Sequence, residues 1–264
     1  MIYYFSGTGN TRRVATRIAG LLDCEATDIC KMDTDTIGNM ALESLLKPDE
    51  PVGFAFPIHG WQPPKIMRMF VNSLPRSIFA KRYVFAVCTC GDETGKALDI
   101  FRNELTSRGM SLHLSVSVQM PNTYVCLPFM DTDPKDVEVS KLDKAEPRIA
   151  MIVAKIRARE QGEYLSKGTA PWFLTHVVGE YFNRHMVNDR KFMVDNEMCI
   201  HCGMCAKVCP VGNITCNNDG KVVLPQWKHD DSCTGCMACY HHCPKHAISF
   251  GKITRNKGQY FFRN

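Results

Sequence analysis

Residues 1–11 read MIYYFSGTGNT. A short apolar run, Ile2–Phe5, leads into Ser6-Gly7-Thr8-Gly9-Asn10-Thr11, and Val14, Ile18, Leu21 and Leu22 then recur at spacings of three and four. That periodicity predicts a helix directly after the loop, so the stretch reads as strand, tight loop, helix. The N–H groups at such a helix start favour an anion. Two familiar anion loops do not fit. A mononucleotide loop needs glycines five apart followed by Lys and Ser/Thr, and a dinucleotide fingerprint needs a third glycine where Arg12 stands. What remains is a set of neutral donors, the Ser6, Thr8 and Thr11 hydroxyls, the Asn10 amide and several N–H groups, suited to a terminal phosphate dianion. The plainer reading is a tight turn in which Thr11 caps the helix.

Working outward, apolar runs recur at Val52–Phe56, Tyr83–Cys88 and Leu112–Val118, with a weaker one at Cys24–Ile29. Helical patterns at Arg12–Leu22, Pro64–Ser73, Lys96–Arg108 and Asp143–Arg159 alternate with them. This rhythm predicts an α/β fold, a doubly wound parallel sheet covered on both faces. Ligands in such sheets sit beyond the carboxyl ends of the strands. Those ends lead into Pro57-Ile58-His59-Gly60-Trp61-Gln62-Pro63-Pro64, then Thr89-Cys90-Gly91-Asp92-Glu93-Thr94-Gly95, then Met120-Pro121-Asn122-Thr123-Tyr124.

The pattern Ser/Thr-x-Thr-Gly-x-Thr after the first strand resembles the FMN-phosphate loop of flavodoxins, and the resemblance extends over the N-terminal half. It implies FMN, with its phosphate on Ser6, Gly7, Thr8, Gly9, Asn10 and Thr11. The ring is then expected between Pro57, Ile58, His59, Gly60 and Trp61 on one side and Thr89, Cys90, Gly91, Asn122 and Tyr124 on the other. Trp61 suits stacking on the ring, the alternative being a loop anchor packed on the core. Where flavodoxins commonly offer a second aromatic, after the fourth strand, this chain has Cys90 and Gly91. A face left uncovered there could be met by Tyr124 or Met120. His59, Cys90 and Tyr124 are the candidates for proton or redox chemistry, with a solvent-facing loop histidine the plainer reading of His59.

Between residues 165 and 190 the alternation stops. Pro171-Trp172-Phe173-Leu174 opens a stretch in which Val177, Val178, Tyr181 and Phe182 fall near helical spacing. It predicts a connecting helix packed between domains rather than a membrane-surface helix, because only scattered Arg and Lys line its polar side.

The C-terminal part carries Cys199-x2-Cys202-x2-Cys205-x3-Cys209-Pro210, repeated in phase as Cys233-x2-Cys236-x2-Cys239-x3-Cys243-Pro244. Zinc sites more usually show two separated CxxC pairs, so the doubled C-x2-C-x2-C-x3-C-P spacing favours iron–sulfur clusters. It resembles the bacterial two-cluster ferredoxins. That resemblance implies crossed ligation: Cys199, Cys202, Cys205 and Cys243 on cluster 1, and Cys233, Cys236, Cys239 and Cys209 on cluster 2. Between the blocks, Ile214-Thr215 and Lys221–Leu224 flank Asn218-Asp219-Gly220, a hairpin signal, and Ala247–Phe250 is the matching short strand expected after the second block. Cys24, Cys30 and Cys88 read as small buried hydrophobes, while Cys126 and Cys216 have no assigned role. His201, His241 and His242 lie inside the cluster loops, where they are expected to tune sulfur hydrogen bonding or stay solvated.

Composition agrees. Fourteen cysteines without a signal peptide point to metal or redox use in a reducing compartment, hence a cytoplasmic protein. No apolar run is long enough to span a bilayer. The net charge of +5 falls to roughly −1 once one FMN phosphate and two clusters are counted. With no basic–aromatic stripe either, nucleic acid is not an expected partner.

Taken together, the chain resembles the flavodoxin–ferredoxin fusion proteins of anaerobes over about 1–160 and 190–254. The expected organisation is a flavodoxin-like FMN domain (1–164), a connector (165–190) and a small α+β two-cluster [4Fe-4S] ferredoxin domain (191–264). The implied function is electron transfer between the clusters and FMN, with a redox protein as donor or acceptor. Two other readings stay open: an FMN-dependent reductase of a small-molecule substrate fed by the clusters, and a redox sensor with structural clusters. All expected FMN contacts lie in the first 125 residues, so a fragment 1–165 is expected to bind FMN alone.

Overall fold

A computed structural model of the chain describes residues 1–32, 46–218 and 221–263. Its first part is a six-stranded, wholly parallel sheet: β1 (Ile2–Tyr4), β2 (Ala26–Asp28), β3 (Val52–Pro57), β4 (Val84–Cys90), β5 (Leu114–Gln119) and β6 (Gly162–Tyr164). The order is β2-β1-β3-β4-β5-β6. That is the flavodoxin-like order with one strand added at the edge. Helices α1 (Asn10–Leu22), α2 (Lys65–Ser73), α3 (Ala97–Ser107) and α4 (Lys135–Arg157) make the crossovers.

Alternation along the strands builds two cores. Tyr3, Phe54 and Phe56 face α2 and α3, where Met67, Phe70 and Phe101 meet them. Ile2, Tyr4, Phe85 and Val116 face α1 and α4, where Val14, Ile18, Ile149 and Ile152 meet them. This period of two, with both faces covered, is what a buried parallel sheet requires.

The expected strands and helices are present, with two extensions. Helix α4 starts at Lys135 rather than Asp143, because its first two turns are charged and carry no apolar periodicity. β6 was not expected, being three residues long and lacking an apolar run.

Residues 171–185 form the connector: Pro171–Phe173, a π-helical stretch Leu174–Val178, and Gly179–His185. Thr175, Gly179 and Phe182 are buried, but Trp172, Phe173, Val177 and Tyr181 are exposed. The helix therefore packs by one narrow face only.

The cysteine-rich part is built from β7 (Phe192–Val194), α5 (Met204–Lys207), β8 (Ile214–Asn218), β9 (Lys221–Trp227), α6 (Ala238–His241) and β10 (Ile248–Phe250). β8 and β9 pair as the expected hairpin, whose tip at 219–220 lies outside the described residues. The strand expected at Ala247–Phe250 forms, and it pairs antiparallel with β7. The core of this part also takes in Val125 and Cys126, which come from the loop after β5. Among the described residues no helix is long and apolar enough to cross a membrane.

Candidate cofactor sites

The loops after β1, β3, β4 and β5 meet at the carboxyl edge of the sheet and enclose a cleft. Every residue expected at the flavin lines it except Gly9: Ser6, Gly7, Thr8, Asn10, Thr11, Pro57, Ile58, His59, Gly60, Trp61, Thr89, Cys90, Gly91, Asn122 and Tyr124. Gly9 sits just behind, at φ 94, where a side chain would be strained. Thr8 and Thr11 are buried, and the Thr11 and Thr89 hydroxyls are 2.8 Å apart. Gly9 N–H donates to Ser6 Oγ at 3.2 Å. The Asn10 amide is already engaged: Nδ2 donates to Pro121 O at 2.9 Å and Oδ1 accepts from Tyr260 Oη at 3.0 Å. The donors left for a dianion are therefore the Ser6 and Thr8 hydroxyls, one hydroxyl of the Thr11–Thr89 pair and the main chain at the start of α1.

Trp61 is held in an unusual way. His59 and Gln62 exchange main-chain hydrogen bonds at 3.0 and 3.2 Å around Gly60 (φ 53) and Trp61 (φ 56), a two-residue turn of left-handed residues. A bulky residue at positive φ is strained, and the surroundings hold it there. Trp61 Nε1 donates to Glu93 Oε1 at 2.8 Å. From the other side the connector clamps the turn. Buried Gln62 donates to Thr175 O, a carbonyl within the π-helical turn, at 3.0 Å, and Asn183 Nδ2 donates to His59 O at 3.1 Å. A Cβ on Gly179 would lie 2.3 Å from Gly60 O, so only glycine permits this approach. Phe182 reaches the cleft beside Tyr124, ring centroids 5.1 Å apart and edge-on.

The three candidates for chemistry are all in the cleft and all neutral. Burial pushes the Cys90 thiol up to about 12 and raises the Tyr124 hydroxyl. Burial takes His59 down to about 4, against a weaker opposing hydrogen bond with the Thr234 main chain. His59 is half-buried rather than solvent-facing, because the cluster module covers its loop.

That cover is the main feature the sequence did not reveal. Gly235, Cys236 and Met237 form part of the cleft wall. A Cβ placed on Gly7 would lie 2.6 Å from Cys236 Cβ and 3.2 Å from its Sγ. The first loop and the second cysteine block are thus in direct contact. Residues 259–262 then return over the loop: Phe262 N–H donates to Thr8 O at 2.8 Å, and Tyr260 reaches Asn10 as above. His241 is buried and bridges the halves. Tyr260 N–H donates to its Nδ1 at 3.1 Å, which leaves Nε2–H to donate to Thr123 O at 2.7 Å. Burial holds that ring neutral, near 4. It is neither solvated nor aimed at sulfur, as the sequence had suggested. Lys257 Nζ donates to Val125 O at 2.9 Å and to the carbonyls of Leu127 and Met130. The aromatic run Tyr260-Phe261-Phe262, following the last cysteine block, was the one available sign of this return strap.

The cysteines gather into two groups around two small cavities. One is lined by Cys199, Cys202, Cys205 and Cys243, with Cys216 beside them, the other by Cys209, Cys233, Cys236 and Cys239. Each group takes three cysteines from one block and the fourth from the other. Main-chain N–H groups point at the sulfurs: Asn213 to Cys209 at 3.2 Å, Ala247 to Cys243 at 3.2 Å and Gly235 to Cys233 at 3.5 Å. Burial raises the thiols of Cys205 and Cys233 to about 12, and it also shifts those of Cys236 and Cys239 upward. Metal ligation demands thiolates, so loading these cavities releases protons and repays that burial. Three fixed thiols, a fourth from the partner block and inward N–H donors are the donor set a four-iron cubane takes. Among the described residues no three His, Cys, Asp or Glu side chains converge as a single-ion site.

Residues 180–248 match the family model of the 4Fe-4S dicluster domain. The pyruvate synthase subunit PorD of Methanocaldococcus jannaschii is 35% identical over 57 residues, 22% of this chain and 62% of PorD. The chain thus spans less than two thirds of that relative. Among solved structures, the Trp repressor binding protein of Bacillus subtilis is 15% identical, with TM-score 0.41, covering 61% of this chain and all of that one. Megasphaera elsdenii flavodoxin is 16% identical, with TM-score 0.34, covering 56% of this chain and 99% of its own. The rubredoxin:oxygen oxidoreductase of Desulfovibrio gigas is 14% identical, with TM-score 0.39, covering 60% of this chain and 36% of that one.

Proposed function

We propose that this chain, in which a flavodoxin-like α/β fold runs into a 4Fe-4S dicluster domain, carries electrons between two [4Fe-4S] clusters and one non-covalent FMN in the cytoplasm of an anaerobe. Clusters pass single electrons and a flavin holds one or two, so the pair converts between the two kinds of traffic. The observation that supports this best is the contact of Cys236 with Gly7: a cluster ligand forms the wall of the flavin cleft, with nothing between.

The residues divide the work. Thr8 and the start of α1 would hold the phosphate, and the turn at Gly60-Trp61 and the loop 120–124 would hold the ring. Met237, Tyr124 and Phe182 line that space. Cys209, Cys233, Cys236 and Cys239 would hold the inner cluster. The outer group has Cys202 exposed, with Met198 and Ile200 exposed beside it, and offers the approach for a redox protein partner.

Anaerobic stopped-flow reduction by a one-electron protein donor tests the reading. Cys209→Ala should damage the cluster held by the second block, although Cys209 belongs to the first, and flavin reduction should slow by at least tenfold. EPR identifies which cluster is altered. Unchanged flavin reduction in a variant that has lost the inner cluster would take the clusters off the path and leave the sensor reading.

A further inference from the structure

Five sulfurs, not four, surround the outer cavity. Cys216 lines it together with Cys199, Cys202, Cys205 and Cys243. Its Sγ is 3.5 Å from Cys205 Sγ. The position is built into the hairpin rather than a chance approach of a loose side chain. The β8–β9 ladder runs Ile214↔Trp227 and Thr215↔Gln226, then resumes at Asn217↔Val222. Cys216 alone therefore faces the stretch Val223–Pro225. Such an irregularity bends the pair and re-aims a side chain. Val223 and Pro225 line the same cavity, so the distorted stretch faces it from both strands.

We propose that Cys205 and Cys216 are interchangeable ligands of the outer cluster. In the exchange the iron–sulfur bond to Cys205 breaks and one to Cys216 forms. The proton of the Cys216 thiol moves to the Cys205 sulfur, and no electron is gained or lost. At 3.5 Å the two sulfurs are within hydrogen-bond reach of each other, so the proton has a direct path between them. The outer corner of this module thus keeps four thiolates when Cys205 is removed or blocked. This rests on the cluster assignment proposed above.

The test compares Cys205→Ala, Cys199→Ala and Cys205→Ala/Cys216→Ala in the whole chain, purified anaerobically. Wild type should carry about eight irons per chain, and a lower count would fail the cluster assignment itself. Cys205→Ala should also carry about eight, with the EPR of two four-iron clusters, and its Cys216 should resist alkylation. Cys199→Ala has no spare sulfur and should fall to about seven irons or fewer, as should the double variant. Cys216→Ala alone should keep the full count. The proposal is overturned if Cys205→Ala loses iron as Cys199→Ala does, fails to accumulate, or leaves Cys216 open to alkylation. It is overturned equally if Cys216→Ala by itself empties the outer site.

Discussion

Single positions carry the coupling between the two halves. Gly7 is the sharpest case: Gly7→Ala sets a methyl against Cys236 Cβ at 2.6 Å and against its carbonyl at 3.0 Å. Overpacking of this kind costs about 1–3 kcal/mol, so FMN should bind about 5- to 150-fold more weakly. The EPR of the inner cluster should shift in the same protein, and an unaltered spectrum would mean the two sites do not touch. Thr8→Val removes a buried hydroxyl that faces the expected dianion. Affinity for FMN should fall about 10- to 150-fold, with a far smaller loss for riboflavin. Equal losses would take Thr8 off the phosphate. Asp189 has a structural task beside the inner cysteines. It accepts from Asn213 Nδ2 at 2.8 Å and from His229 N at 3.1 Å, and it pairs with His229 Nδ1 at 2.7 Å. Burial alone would raise its carboxyl, but the hydrogen bonds from Asn213 and His229 take it below the usual value. A depressed carboxyl stabilises the fold above its unfolded value, near pH 3.9, and that contribution is lost as the pH drops through the folded value. Asp189→Ala should lower the temperature of cluster bleaching at neutral pH by about 5 °C or more.

At the scale of elements, the connector acts as a clamp on one turn. Gly179 touches Gly60 O, and Thr175 Oγ1 accepts from Lys96 N at 2.8 Å, so the helix fixes both the Trp61 turn and the start of α3. Gly179→Ala must displace rigid main chain, because the new methyl would lie 2.3 Å from one carbonyl oxygen and 2.9 Å from another. FMN affinity should drop by about tenfold while iron content stays unchanged. A loss of iron would show that the connector supports the cluster module instead. The same scale shows what could be read from residues in order. The long apolar strands and the cysteine spacing were legible because each is a local pattern: alternation, or ligands a few residues apart. β6 and the first turns of α4 were not, since three mixed residues and a charged helix start carry no period. That the loops after β1, β3, β4 and β5 would share one cleft was legible, but not the partners of Asn10 and His59. Those lie 250 residues away at Tyr260 and 175 residues away at Thr234, and no local pattern encodes such a contact.

Over the whole molecule, the expectation that residues 1–165 bind FMN alone now has a physical objection. The cleft takes Phe182 and Gly235–Met237 from beyond that point, and Thr123, Val125, Leu127 and Met130 are tied down by His241 and Lys257. The fragment should bind FMN at least tenfold more weakly than the full chain. Adding the separate remainder should restore affinity only at high concentration, because the tether supplies the effective concentration. Stripping iron from the intact protein with a chelator should release FMN, seen as a rise in flavin fluorescence. Retention of FMN after iron loss would mean that the wall at 235–237 keeps its shape without metal. The return strap also sets a clock during synthesis. Residues 1–124 leave the ribosome before the strands and cysteines that close over them. At about 5–20 residues per second, roughly 7 to 28 seconds separate Tyr124 from Phe262. A nascent flavodoxin-like half therefore waits with its cleft open to water. On the proposed reading, flavin capture should then follow iron delivery, and a cell short of iron should accumulate this chain without flavin.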